Sequence, residues 1–65
     1  MTLTSLGYTQ ENIDGEVMFH WKDKYTLHFN EYKQFWIEQH TDITYALEAN
    51  DIVAIYEMIK DGVLV

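Results

Sequence analysis

Three histidines are the residues most able to do chemistry in this chain of 65 residues. His20 and His28 fall inside the stretch EVMFHWKDKYTLHFN, and His40 closes FWIEQH. Imidazole can bind a metal, move a proton or switch charge near neutral pH. Met18, Thr26, Trp36 and Glu38 stand at neighbouring positions, so three chemistries are open. His20, His28, Glu38 and His40 offer nitrogen and oxygen donors to a metal. Ser5 or Thr26 beside His20 offers a nucleophile with a base. Trp36 and Met18, large and soft, offer anchors for another protein.

Which of these is open depends on the elements that carry the residues. In the same stretch Val17, Phe19 and Trp21 alternate with smaller or polar residues, as do Tyr25, Leu27 and Phe29. A period of two predicts half-buried strands. Asp14-Gly15 suits a two-residue turn with positive φ at both positions. It pairs Ile13 with Glu16, Asn12 with Val17, Gln10 with Phe19 and Tyr8 with Trp21. That places a first strand near 8–13 and a second near 16–22. A two-residue loop at Asp23-Lys24 would set Trp21 against Thr26 and mix polar with apolar. A three-residue loop of Lys22, Asp23 and Lys24 pairs Trp21 with Tyr25, Phe19 with Leu27 and Val17 with Phe29, keeping one face apolar. After the polar turn NEYKQ, Phe35 and Ile37 continue that face, while Trp36, Glu38 and His40 point away. DITYAL either extends this strand, forms a fifth, or leads into a helix.

From about Ala49 to Asp61 the period changes. Ile52, Ile55, Tyr56 and Ile59 follow i, i+3, i+4, i+7, an amphipathic helix with Asp51 in its first turn and Lys60 in its last. Gly62 suits the position after the helix, with Val63 and Leu64 folding back on it. The expected fold is α+β: an antiparallel β-meander of three to four strands, with one C-terminal helix packed on one face. It is a single small domain, 1–65.

Composition narrows the function. Eleven acids face four lysines and no arginine, for a net charge of −7. Phosphate contacts need Lys and Arg, so direct DNA or RNA binding and anionic membranes are disfavoured. A protein with a basic or nucleic-acid-binding surface is the electrostatic complement. There is no cysteine, which removes disulfides, thiolate metal sites and a cysteine nucleophile. No signal-like or membrane-spanning run is evident, so the chain is expected to be complete and cytoplasmic. It carries no glycine-rich phosphate loop, HExxH or paired-carboxylate motif, and a domain this small has little room for a cleft of about 300 Å³. An enzyme, a metal and a cofactor are not expected.

Leu6-Gly7-Tyr8, the alternation from Val17 to Phe29, and Ala54-Ile55, Ile59 and Gly62 together resemble small phage and prophage proteins of Gram-positive bacteria. These open on LGY, run through an alternating hairpin and close on a helix. The resemblance covers nearly the whole chain but rests on packing residues. It implies the meander-plus-helix fold, a phage origin and a place in the host cell cytoplasm. It brings no catalytic residues with it, and ITYALEAND departs from the usual short cap before the helix.

With the register above, the face away from the helix carries Thr9, Glu11, Met18, His20, Thr26, His28, Trp36, Glu38 and His40. It reads as a solvated face, a protein-binding or homodimer face, or a metal site. The last is disfavoured because neighbours on a sheet face diverge. Asp51, Glu57 and Asp61 lie along the outer side of the helix, opposite Ile52, Ile55 and Ile59. They keep the protein soluble or stand in for nucleic-acid phosphates. The expected function is therefore a non-enzymatic protein-binding module. Its leading form is a phage-encoded inhibitor of a host nucleic-acid-processing or defence protein, with anti-CRISPR activity as one version. Trp36, Met18, His20, His28 and Glu38 would be its anchors, and Asp51, Glu57 and Asp61 would steer association. The alternative is a self-associating phage protein that uses the same sheet face as its dimer interface.

Overall fold

The computed structural model describes residues 2–61. Strands β1 (Thr9–Ile13), β2 (Glu16–Trp21), β3 (Tyr25–Asn30) and β4 (Phe35–Gln39) form one antiparallel sheet in chain order, followed by helix α1 (Ala49–Asp61). This is the expected α+β meander with one helix.

The register is the one the alternation predicts. Ile13 faces Glu16 and Gln10 faces Phe19 across the first turn. Trp21 faces Tyr25, Phe19 faces Leu27 and Val17 faces Phe29 across the second. In the first turn only Gly15 takes the expected positive φ, at +75°, and Asp14 does not, because that conformation costs little only to a residue without Cβ. Lys22 takes φ of 52° in the second and Lys33 takes 62° in the third. In the third turn Asn30 Oδ1 accepts from the amides of Tyr32 and Gln34, at 2.9 and 3.0 Å. The Asn side chain thus supplements the backbone hydrogen bonds that close the turn, from Asn30 N to Gln34 O and from Lys33 N to Asn30 O, both at 3.2 Å. Residues 41–48 add no fifth strand. They lead into the helix, and Tyr45 and Leu47 lie against the core on the way.

One apolar layer lies between sheet and helix. Leu3, Tyr8, Val17, Phe19, Tyr25, Leu27 and Phe29 are buried in it, with Ala54 and Ile55 from the helix. Leu3 arrives through a tight N-terminal turn. Thr2 and Ser5 exchange backbone-to-hydroxyl hydrogen bonds of 3.0 Å in both directions, and the Tyr8 amide donates to the Leu3 carbonyl at 3.1 Å. Gly7 closes this turn at φ of +109°, and a Cβ there would stand 3.1 Å from Trp21 Cζ3. Gly7→Ala is therefore expected to cost about 1–3 kcal/mol, read as a lowered urea midpoint with unchanged slope. A cost below a few tenths of that range would mean that the turn rearranges freely.

The helix spans the expected residues but is rotated from the expected stripe. Ala54 and Ile55 are buried and Met58 and Ile59 partly so, whereas Ile52 is 56% and Tyr56 64% exposed. The inner row is Asp51, Ala54, Ile55 and Met58. Asp51, on this row, is bonded on both oxygens. Its Oδ2 accepts from the Glu48 amide at 2.9 Å, and its Oδ1 from the Tyr8 hydroxyl at 3.3 Å. A first-turn carboxylate reaching back to the amide just before the helix is half of a capping box, and its bond to Tyr8 turns that edge inward. The readings of Gly62, Val63 and Leu64 fall outside the described residues. Among the described residues no helix is long and apolar enough to cross a membrane.

Candidate functional site: the uncovered sheet face

Alternation brings Met18 and His20 of β2, Thr26 and His28 of β3, and Trp36 and Glu38 of β4 onto the face away from α1. Across the strands Met18 faces His28 and His28 faces Trp36; His20 faces Thr26 and Thr26 faces Glu38. Five of the expected site residues thus meet in one patch. Glu57 and Asp61 are exposed on the helix, on the other side of the sheet. Asp51 is not on the outer side of α1 as expected, because its bonds to Tyr8 and Glu48 draw it inward.

The patch is organised around His28. Its Nδ1 bonds to Glu16 Oε1, and its Nε2 lies 2.8 Å from Glu38 Oε1. Trp36 lies flat on the imidazole, with 5.1 Å between ring centroids and 4° between planes. Carboxylates only accept hydrogen bonds, so the clamp favours the ring form in which both nitrogens carry protons, the imidazolium. Burial by itself pushes its pKa down. The hydrogen bonds and negative charges of Glu16 and Glu38 outweigh that and raise it above the ordinary value.

Beside it runs a second chain of polar contacts. His20 Nε2 lies 2.8 Å from Glu11 Oε1, His20 Nδ1 lies 2.9 Å from Thr26 Oγ1, and Thr26 Oγ1 lies 2.7 Å from His40 Nε2. The proton order follows from the acceptor at its end. With neutral imidazoles, His20 Nε2 donates to Glu11, the Thr26 hydroxyl donates to His20 Nδ1, and His40 Nε2 donates to Thr26. A hydroxyl between two imidazoles has the parts of a nucleophile and base. Thr26, however, is 1% exposed, so no substrate can approach its oxygen. Ser5, the other candidate partner of His20, is engaged in the N-terminal turn, where its Oγ donates to the Thr2 carbonyl at 2.8 Å.

These contacts alter the expected picture of an open, solvated face. Met18, Thr26 and His28 are buried although no element among the described residues covers them; their neighbours' side chains close over them. Trp36 is left outermost, 42% exposed, over a His28 ring flanked by the carboxylates of Glu16 and Glu38. Among the described residues no three His, Asp or Glu side chains converge as metal ligands. Sequence reasoning weighed Thr26 as a nucleophile beside His20, placed Glu11 on this face without giving it a part, and missed Glu16 as the partner of His28. The signal was there: Glu16, Met18 and His20 are two apart on one strand, so they share a face. No family model matches this chain, and no curated protein or solved structure matches it.

Proposed function

We propose that this chain is a non-enzymatic protein-binding module that docks its Trp36 face on a basic, nucleic-acid-binding surface of another protein and so keeps nucleic acid away from it. The observation that carries this reading is the Trp36–His28 stack with His28 clamped between Glu16 and Glu38. A side chain already held in place loses little rotamer freedom on binding, and rigid, partly exposed tryptophans are the usual anchors of interfaces. Around it, Glu11, Glu16 and Glu38 exceed the positive charge of His28, and the whole chain carries −7. The patch is therefore suited to a cationic partner. The resemblance to phage proteins directs the search to host nucleases and defence enzymes, anti-CRISPR activity included.

The test is capture of partners from a nuclease-treated lysate of a Gram-positive host on the immobilised protein, repeated with Trp36→Ala. A basic nucleic-acid enzyme is expected to be retained, and Trp36→Ala should weaken its binding by about 2 kcal/mol, near thirtyfold. The substitution should cost only about 0.5–1.5 kcal/mol of stability, the worth of the lost ring stack. Binding should also fall as salt rises, since exposed charges are screened beyond about 8 Å at physiological ionic strength. Salt-independent binding would remove the phosphate-mimicking reading. Light scattering that shows a dimer, dissolved by Trp36→Glu, would assign the face to self-association instead.

A further inference from the structure

On the other side of the sheet, beside the N-terminus of α1, lies a cleft of about 290 Å³ whose walls are aromatic: Tyr8, Trp21, Tyr25 and Tyr45. The rings contact each other in sequence. Tyr8 and Trp21 have centroids 5.0 Å apart, Trp21 and Tyr25 6.5 Å, and Tyr25 and Tyr45 6.0 Å. Asp51 and Glu48 line the same cleft. We propose that this cleft binds an alkylammonium group, as the head of a small organic amine or of a lysine side chain.

The polarity of the cleft follows from one chain of hydrogen bonds. The Tyr8 hydroxyl donates to Asp51 Oδ1 at 3.3 Å, and it lies 2.7 Å from the Tyr25 hydroxyl. A hydroxyl has one proton, so Tyr8 must accept from Tyr25. Both protons are then committed toward Asp51, and the Tyr25 oxygen keeps only lone pairs. Burial first, and then the coupling of the two hydroxyls, raises the Tyr8 pKa; burial raises that of Tyr25. The chain therefore stays protonated at neutral pH. The cleft thus joins four aromatic rings, hydroxyl lone pairs and two carboxylates. An ammonium group has three donors and no acceptor, and such a group over tyrosine and tryptophan faces is attracted to them. The same rings already draw this chain's own cations: Lys22 Nζ lies 5.2 Å from the Trp21 ring and Lys24 Nζ 6.0 Å from that of Tyr45. Neither lysine lines the cleft. The positive end of the helix would oppose a cation, but Asp51 and Glu48 stand at that end and offset it. The volume suits a short chain and is below that of sites for drug-sized ligands.

The proposal is independent of the Trp36 face, and its test uses the intact chain. Chemical shifts would be followed by NMR while n-butylammonium chloride, 1-butanol or Nα-acetyl-lysine amide is added. n-Butylammonium is expected to saturate the shifts of Tyr8, Tyr45 and the Trp21 indole, with 1-butanol about tenfold weaker. Asp51→Asn removes the charge and keeps one oxygen for the Glu48 amide, while its Nδ2 faces the Tyr8 hydroxyl, which then donates to Tyr25 instead. The variant should fold, as thermal melting would check, and weaken n-butylammonium about tenfold. Tyr45→Leu keeps bulk but removes a ring face, and should weaken it several-fold. Acetyl-lysine amide binding as tightly as n-butylammonium would identify a protein side chain as the ligand; n-butylammonium binding alone would identify a free amine. Equal response to 1-butanol, unchanged affinity in Asp51→Asn, or no saturable shift with either amine would overturn the proposal.

Discussion

Phe29→Ala is expected to remove about 3–5 kcal/mol of stability and to leave much of the chain unfolded at room temperature. Phe29 is buried at the centre of the core. It meets Phe19 edge-on at 5.8 Å and 85°, and Phe35 at 5.2 Å and 31°. It also faces Val17 on β2. Removing the ring forfeits these contacts and leaves a cavity that β2, β3 and β4 cannot all close. Stability of about 0.05–0.15 kcal/mol per residue amounts to roughly 3–10 kcal/mol for a chain of this size, so one ring is a large share. Urea titration followed by near-ultraviolet circular dichroism would measure it. A loss under about 1 kcal/mol would show that the core repacks and that Phe29 is not its centre.

The second large effect concerns pH. His28 has a raised pKa because Glu16 and Glu38 together outweigh its burial. In the unfolded chain the imidazole titrates near about 6.5. Below that value it is protonated in both states, and the clamp contributes its full stability. As pH rises through the folded-state pKa the proton is lost, and one ring nitrogen then turns a lone pair toward a carboxylate. Stability should therefore decline with rising pH over a window that begins near about pH 6.5 and ends above the folded pKa. His28→Ala should cost about 1.5–3 kcal/mol below that window, the worth of hydrogen bonds to charged groups, and should remove this part of the slope. Melting temperatures of both proteins from about pH 5.5 to 8.5 would show it. A wild-type slope that survives His28→Ala unchanged would place its origin elsewhere. The same titration would loosen the seat of Trp36, so capture of a partner should weaken over the same window.

The strands, their register and the extent of the helix were legible from residue order because each rests on local rules. Asp14-Gly15 admits the positive φ of a tight turn. Only the loop of Lys22, Asp23 and Lys24 keeps Val17, Phe19 and Trp21 on the face of Tyr25, Leu27 and Phe29. A slip of one residue would have turned half of those side chains to water. Likewise the change to a period of 3.6 at Ala49 marked the helix, and alternation alone assembled Met18, His20, His28, Trp36 and Glu38 on one face.

What the tertiary structure decided are the matters that depend on contacts between distant positions. The helix could present Ile52 and Tyr56 or Ala54 and Met58 to the sheet, since both rows are largely apolar along one helix. Packing of Ala54 and Ile55 in the core, with Tyr8, 43 residues before Asp51, bonded to the same row, fixes the choice. Glu16 and Glu38 come from different strands, 12 and 10 residues from His28. No local spacing announces that both carboxylates would converge on one ring and seat Trp36 above it. The aromatic cleft has the same origin, because Tyr8, Trp21, Tyr25 and Tyr45 are joined only when the sheet forms and the segment after β4 folds back. Periodicity assigned the buried face of the strands; the buried side of the helix, and which side chains share protons and charges, are decided by the closed fold.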